Sequence, residues 1–346
     1  MEINRVGIDL AKNVFQLHGA DRRGKAVWKR RLSRGKWLAV LCDDIEPGTE
    51  IGMEACAGAH HWARQLMRLG YPVKIIPPQF VKPFIKSNKN DANDAQAICE
   101  AMGRPNMHPV KVKTVDQQDL QAMHRIRDGI KSHRIAKANQ IRGLVTEYGL
   151  VAPQQLAALR NAIPDCLEDA ENGLSFLFRQ LLQGLWADLR MLDSRMAELD
   201  QQIAVIAQED PTAKRLQQLR GVGPLIATAL VATVGDGRQY RNGRDMAAAL
   251  GVTPRQHSSG GKDRLLGISK RGDAYLRCLL VHGARSAMRT AKDKEDRLSR
   301  WIINLQARRH ANVVAVALAN KVARMAWAMM TKDVDYDPEL AAASVS

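Results

Sequence analysis

Four acidic residues stand where side chains from separate elements can converge. Asp9 ends one short apolar stretch, Glu54 ends another, and Asp91 and Asp94 stand three residues apart in KNDANDAQ. Residues three apart on a helix share one face, so both aspartates can point to a common centre. Clustered carboxylates repel one another unless a cation lies among them, and hard oxygen ligands favour Mg²⁺ or Mn²⁺. Two such ions can activate a phosphodiester, so the four acids predict a metal site for phosphoryl transfer.

Short strands and helices must position these acids. Apolar and alternating stretches predict three strands in a meander, at residues 5–10, 13–18 and 26–32. A fourth strand at 50–54, a helix at 60–69, a fifth strand at 73–76 and a second helix at 91–102 are predicted to follow. This order predicts an RNase H-like α/β domain with Asp9 and Glu54 on adjacent central strands. A local alternative is that Asp91 only caps the second helix and Asp94 only favours its first turn.

Long helical patterns replace the strands from about residue 116. A cation-rich stretch at 116–148 predicts a basic helix. Apolar residues then recur at alternating spacings of four and three, which is the a/d pattern of a coiled coil. The positions of this heptad seam are Phe178, Leu182, Leu185, Leu189, Leu192, Met196, Leu199, Ile203 and Ile206. The seam packs either against the preceding basic helix of the same chain or against a second subunit.

The chain carries a strong excess of positive charge. Its 346 residues include 52 Lys and Arg against 36 Asp and Glu, a net charge of +16, and residues 238–310 hold 17 basic and 6 acidic side chains. Such a balance favours a polyanionic partner, most commonly nucleic acid. Five cysteines lie far apart without a CxxC pair, which argues against a zinc ribbon or disulfide framework and fits a reducing cytoplasm. Charged residues interrupt the apolar stretch 313–330, so no membrane span is expected.

A glycine-rich turn precedes a predicted helix in the C-terminal half. Gly221 and Gly223 stand just before Pro224. Glycines let backbone N–H groups approach a phosphate closely, and the helix N-terminus adds partial positive charge. The turn therefore predicts contact with a nucleic-acid backbone, although similar turns also occur as plain structure.

A second segment, 253–272, combines serine, glycine and many cations. Ser258 and Ser259 precede two glycines, so a hydroxyl there is reachable as a nucleophile. Surrounding cations can hold a phosphate and stabilise its transition-state charge. The candidates are Arg255, Lys262, Arg264, Lys270, Arg271 and Arg277. The alternative is an ordinary flexible surface loop.

Four motifs in a fixed order resemble one protein family over nearly the full chain. They are GIDLAKN at the start, GMEACAG near residue 54, KNDANDAQAI near residue 91, and TPRQHSSGGKDRLLGISKRGDAYLR in the C-terminal third. The chain is similar to the DEDD transposases of the insertion-sequence family one-ten, and most of all to its eleven-eleven subgroup. These are DNA recombinases guided by a bridge RNA.

The resemblance implies a RuvC-like DEDD nuclease domain at 1–112 and a helical coiled-coil region at 113–210. A mainly α-helical transposase domain with the serine loop follows at 211–332, and a flexible tail at 333–346. The four acids match the catalytic and metal-binding residues of the family, with Mg²⁺ or Mn²⁺ as cofactor. Ser259 matches the serine nucleophile, and Ser258 is the competing choice one residue away.

The function implied by the resemblance is the excision and insertion of a mobile element through a phosphoserine link to DNA. The implied partners are donor and target DNA, a non-coding bridge RNA and further copies of the chain in a dimer or tetramer, in the bacterial cytoplasm near the nucleoid. Two alternatives stay open. A RuvC-like junction-resolving endonuclease would need the acids and a metal-activated water but no serine, and a non-catalytic nucleic-acid-binding protein would need neither.

Overall fold

The computed structural model describes residues 2–85, 91–105, 107–258 and 264–338, without the side chains of Asp91 and Ala92. The chain forms two compact units, Met1–Thr114 and Val115–Ser346. The first unit is built on a β-sheet, and the second is built from helices with one short hairpin.

The sheet of the first unit has five strands in the order β3-β2-β1-β4-β5. The strands are β1 (Arg5–Asp9), β2 (Val14–Ala20), β3 (Ala26–Ser33), β4 (Glu50–Glu54) and β5 (Val73–Ile76). The first three form an antiparallel meander, while β4 runs parallel to β1 and β5 parallel to β4. The order and type of the strands predicted from the sequence are confirmed. Register places Ile8 beside Met53, so the next residues, Asp9 and Glu54, end neighbouring strands at one edge of the sheet.

Helices cover both faces of this sheet. They are α1 (Trp37–Asp44), α2 (Ala59–Arg68), α3 (Pro78–Val81) and α4 (Asp91–Met102). Side chains alternate between faces along a strand. Val6 and Ile8 of β1 therefore point to the face where Trp37 of α1 and Leu66 of α2 complete a buried cluster. Glycines alternate with them and face α4, which packs on β1, β2 and β4.

The second unit contains two long helices, with a shorter helix between them in the chain and further helices after them. The helices are α5 (Val115–Thr146), α6 (Leu156–Glu168), α7 (Phe176–Glu209), α8 (Pro211–Leu216), α9 (Pro224–Val234), α10 (Gly243–Ala249), α11 (Ala274–Arg289), α12 (Arg297–Gln306) and α13 (Ala311–Lys332). Strands β6 (Pro254–Gln256) and β7 (Leu265–Ile268) pair as an antiparallel hairpin between α10 and α11.

The heptad seam of α7 packs inside this chain. Leu182 and Leu189 are fully buried in a cluster with Ile141 of α5 and Leu159 of α6. Farther along the seam, other apolar residues of α7 form a cluster with Ile130 of α5. Of the two partners considered from the sequence, the seam therefore uses the preceding basic helix.

Carboxylates of α7 also pair with cations of α5. The ion pairs are Arg127–Asp200 at 2.5 Å, Arg134–Asp193 at 3.3 Å and Lys137–Asp188 at 3.0 Å. Much of the charge that makes α5 basic is thus balanced within the chain. Its cation count overstates the charge that this helix offers to a nucleic acid.

Helix α13 has 22 residues and is apolar enough to cross a membrane by length and composition alone. In this fold, 56% of its most apolar stretch is buried within the protein. It packs against α10 and α11, and it carries Lys321 and Arg324. Such burial is typical of the core helix of a globular unit.

The residues directly after α13 are anchored to α8 and the turn that follows it. Asp333 adopts a left-handed conformation with φ 55° and pairs with Arg215, and Asp335 lies 3.5 Å from Arg215 Nε. The Tyr336 backbone N–H donates to Gln218 Oε1 at 2.8 Å. The start of the expected flexible tail is therefore fixed by contacts with Arg215 and Gln218. Residues 339–346 lie outside the described part of the chain.

Candidate functional site

Asp9 and Glu54 end the adjacent parallel strands β1 and β4. Both act electrostatically on Cys56, two residues beyond β4. Burial raises the pKa of the Cys56 thiol, and the charges of Glu54 and Asp9 raise it further because a nearby negative charge disfavours the thiolate. The structure thus brings these two acids to one edge of the sheet.

Two glycines allow α4 to lie directly on the strands that carry the acids. A Cβ added to Gly7 would lie 2.3 Å from the backbone oxygen of Ala95, and one added to Gly52 would lie 2.7 Å from a sulfur of the same helix. Each glycine stands two positions before an acid, Asp9 or Glu54, and therefore on the same face of its strand. The glycines begin the motifs GIDLAKN and GMEACAG, but sequence reasoning gave them no packing role, although the shared Gly-x-acid spacing is a signal that marks them.

Helix α4 runs so that its first turn lies toward the end of β1. Its later turn is next to the start of that strand, where Cys99 Sγ is 3.9 Å from the Arg5 carbonyl oxygen. Ala95, one turn earlier, packs on Gly7 in the middle of the strand. The start of the helix, with Asp94, therefore lies toward the edge where β1 and β4 end.

Asp94 has a side-chain oxygen, Oδ1, that is buried and has no hydrogen-bond partner among the described residues. An unpaired buried carboxylate oxygen costs free energy, which a bound cation would offset. Among the described side chains, which do not include that of Asp91, no three Asp, Glu, His or Cys residues are grouped closely enough to hold a metal ion. The donors fit a hard divalent cation in chemical type, and the described side chains by themselves do not complete a ligand set.

The serine segment forms the hairpin of β6 and β7. The His257 backbone N–H donates to the Arg264 carbonyl at 2.9 Å, which closes the described part of the hairpin. Ser258 is exposed, and its Oγ accepts a hydrogen bond from Gln256 Nε2 at 3.0 Å. Ser259 and Lys262 lie outside the described residues.

The base of the hairpin is tightly packed. A Cβ added to Gly272, which has φ +76°, would lie 1.9 Å from the Ala249 carbonyl oxygen. Arg277 Nη1 donates to the carbonyls of Leu250 at 3.3 Å and Arg271 at 3.0 Å, so this guanidinium braces the hairpin base. The predicted phosphate ligands that are exposed in the structure are Arg255, Arg264, Lys270 and Arg271.

The two glycines of the turn before α9 have different roles. Gly221 has φ +81°, and an added Cβ would lie 2.4 Å from the carbonyl oxygen of Gly283 in α11. Gly221 is therefore required for close packing, which sequence reasoning did not foresee. A Cβ at Gly223 would meet nothing within 4 Å, so this residue is open to a ligand. It faces a groove of ≈ 660 Å³ whose lining includes Arg220, Ser286 and Lys294.

A mixed sheet whose central strands end in acids, with a further acid-bearing helix packed on them, defines a DEDD-type transposase domain of the RuvC-like superfamily. Comparison with known families agrees. Residues 6–150 match the DEDD transposase domain of the IS110 family, and residues 213–299 match the transposase IS116/IS110/IS902 family. The chain belongs to the IS110 family of transposases.

Similar proteins extend this match over the whole chain. A probable family 20 transposase of Pseudomonas aeruginosa is 47% identical over 98% of this chain and 100% of its own length. The transposase for insertion sequence element IS1111A of Coxiella burnetii is 43% identical over 97% of this chain and 92% of its own length. The transposase for IS1328 of Yersinia enterocolitica is 41% identical over 95% and 97%, respectively. The protein is thus a DNA transposase of a class that generally depends on divalent metal ions.

Proposed function

We propose that this transposase is an RNA-guided DNA recombinase that combines a serine nucleophile with a metal site of four acids. The observation that carries the metal site is the buried, unpaired oxygen of Asp94 on a helix packed against the strands of Asp9 and Glu54. Asp91 begins the same helix. A junction-resolving nuclease would use the same acids, so the serine distinguishes the two functions.

The serine of the hairpin attacks a DNA phosphate in this proposal. Ser259 is the proposed nucleophile, with Ser258 as the alternative one residue away. The bond between Oγ and phosphorus forms as a phosphorus–oxygen bond to one deoxyribose breaks, and the hydroxyl proton passes in net to the departing sugar oxygen. The phosphoserine link retains the bond energy needed to rejoin strands. Exposed cations on the hairpin, such as Arg264 and Lys270, support the binding of phosphate there.

The four acids would hold Mg²⁺ or Mn²⁺. When bound, the metal supplies positive charge that stabilises the reacting phosphate. The protein contributes the rigidity of the site, because the absence of a side chain at Gly7 lets the backbone of α4 pack directly on β1. The position of Asp94 relative to the strand of Asp9 is thereby set by packing.

Base pairing with a bridge RNA would choose the donor and target DNA, while the protein would mainly contact the backbones. The net charge of +16 and membership of the IS110 family support this partnership. We further propose a homo-oligomer, dimer or tetramer, in the bacterial cytoplasm near the nucleoid. Within the chain we propose a RuvC-like domain at 1–112, a coiled-coil region at 113–210, a transposase domain at 211–332 and a tail at 333–346.

Trapping the protein on labelled DNA tests the serine. The expected result is a covalent adduct that is resistant to denaturation and maps to Ser259. Ser259→Ala should abolish both the adduct and recombination while RNA binding persists, because alanine removes the hydroxyl without changing the charge of the loop. Ser258→Ala is the matched control and should retain the adduct. Strand cleavage by Ser259→Ala at the native rate would instead indicate a nuclease that uses metal-activated water.

Two further measurements test the metal and the RNA. Asp9→Asn should abolish strand cleavage and weaken Mg²⁺ binding, while nucleic-acid affinity stays close to that of the native protein. Unchanged cleavage would refute the metal site. Recombination between donor and target DNA should require the transcript of the non-coding segment that flanks the reading frame. Equal rates and equal site choice without this RNA would refute RNA guidance.

A further inference from the structure

A chain of polar groups, with His124 and Thr228 buried at its centre, crosses four helices of the second unit. His124 of α5 is 3% exposed, and its Nδ1 lies 3.1 Å from Tyr275 Oη of α11. Its Nε2 lies 3.0 Å from Thr228 Oγ1 of α9. Beyond the tyrosine, the positive charge of Arg127 of α5 acts on the Tyr275 side chain, and Arg127 donates from Nε to Asp200 of α7 at 2.5 Å.

The direction of these hydrogen bonds follows from the single proton of the threonine hydroxyl. Thr228 Oγ1 donates to the Pro224 carbonyl at 2.8 Å, as expected within a helix, so towards His124 it can only accept. Nε2 of His124 therefore carries the proton, and Nδ1 accepts the proton of the Tyr275 hydroxyl. Burial lowers the pKa of His124 to about 4, which agrees with a neutral ring. Burial also raises the pKa of Tyr275, so its hydroxyl stays a donor.

Tyr275 connects this polar chain to the serine hairpin. It lies in the first turn of α11, two residues after Asp273, whose side chain caps the helix by accepting from the Leu276 N–H at 3.0 Å. Arg277 follows Leu276 in the same turn, and its side chain donates hydrogen bonds to the Leu250 and Arg271 carbonyls at the base of the hairpin. The Ser269 N–H donates to the Thr253 carbonyl at 2.8 Å in the same base. Fixing the first turn of α11 therefore fixes the roots of β6 and β7.

We propose that Tyr275 is a positioning residue, whose hydrogen bond to His124 holds the hairpin that carries the serines in a single orientation. The effect of this positioning on catalysis rests on the serine mechanism proposed above. The positioning of the hairpin itself does not rest on that mechanism, because it concerns the described strands of the hairpin. No residue of the polar chain contacts DNA in this proposal; Tyr275 acts through α11.

The chain offers a matched pair of variants. Tyr275→Phe and Thr228→Val each leave one buried nitrogen of the His124 ring without a partner, and both replacements keep similar side-chain volume. The two should therefore destabilise the protein to a similar extent. Only Tyr275 lies next to the hairpin in sequence, so only its replacement should loosen the hairpin.

Hydrogen–deuterium exchange on the full-length protein measures this difference directly. Peptides that cover 251–258 and 264–272 should exchange about five- to tenfold faster in Tyr275→Phe, in keeping with the loss of one hydrogen bond. The same peptides should exchange at the native rate in Thr228→Val. Equal exchange in Tyr275→Phe and the native protein, or equal acceleration in both variants, would overturn the proposal, because the network would then serve general stability alone.

Single-turnover adduct formation supplies a second readout. Tyr275→Phe should lower its rate about tenfold with an unchanged dissociation constant for DNA, whereas Thr228→Val should keep the native rate. A native adduct rate in Tyr275→Phe would overturn the catalytic part. If the native protein formed no adduct while Tyr275→Phe still accelerated hairpin exchange, the serine mechanism would fail and the positioning role of Tyr275 would stand.

Discussion

Replacing Gly7 with alanine should push α4 away from the sheet. The new Cβ would lie 2.3 Å from the Ala95 carbonyl oxygen and 2.5 Å from the Cys99 nitrogen, and both are backbone atoms of α4. Neither atom can rotate away, so the clash is relieved only if the helix moves outward as a body. Ordinary contacts to a Cβ begin at 3.4 Å. The helix must therefore shift by roughly 1 Å, if the strand stays in place.

This shift should slow catalysis without unfolding the protein. Overpacking of this kind costs about 1–3 kcal/mol in free energy of unfolding. Helix α4 carries Asp94 while β1 carries Asp9, so the same shift changes the separation of two proposed metal ligands. Misplacement by about 1 Å can lower an enzymatic rate by about a hundredfold. Strand cleavage in Gly7→Ala should therefore fall by up to two orders of magnitude while the protein stays folded.

Urea unfolding and Mg²⁺-dependent strand cleavage, measured on the same preparations, test this expectation. Gly35→Ala is the control in the same unit, because a Cβ at Gly35 would meet nothing within 4 Å. It should keep native cleavage and nearly native stability. Cleavage by Gly7→Ala at the native rate would refute the argument that close packing of α4 positions the acids.

Three further predictions concern the second unit. Leu189→Ala, in the buried seam, should lower the free energy of unfolding by about 2–5 kcal/mol without changing the oligomeric state. A change of size in sedimentation, at native stability, would instead assign the seam to a subunit interface. Replacing the exposed Arg264 and Lys270 with glutamine should make DNA affinity less sensitive to salt. The slope of log affinity against log salt concentration, measured by fluorescence anisotropy, should fall by about 0.9 per lost duplex phosphate contact. An unchanged slope would place the DNA elsewhere. The pKa of His124 falls from 6.5 to about 4 on folding, so between these values the unfolded chain binds a proton that the folded chain does not. Stability should fall as pH decreases from 6.5 to 4, and the slope in His124→Gln should be shallower by up to about 1.4 kcal/mol per pH unit; equal slopes in urea unfolding would contradict the buried neutral ring.

Local patterns predicted most of the first unit. Short apolar stretches and helical patterns, ended by turn residues, predicted β4, β5 and α4 at the bounds that the structure has. The direction in which Cβ atoms point depends on local backbone geometry, which is why such periods are readable from sequence. The position of Asp9 and Glu54 at the ends of adjacent strands followed from the same reasoning. The burial of the Asp94 Oδ1 atom did not, because it depends on how closely α4 approaches the sheet.

What the sequence by itself determined is the five strands of the sheet, helices α2, α4, α5 and α7, the acids at the ends of strands, the basic charge and the family. Only the tertiary structure decided which surfaces meet. The heptad seam suited two partners equally well, and burial against α5 selected one of them. The sequence predicts phosphate contacts for Gly221 and Arg277, and only the tertiary structure shows that Gly221 also packs on Gly283 and that Arg277 also donates to the Arg271 carbonyl. The physical reason is that helix and strand periods are set by neighbouring residues, whereas the partner of a buried polar group or the close approach of two backbones depends on residues distant in the chain.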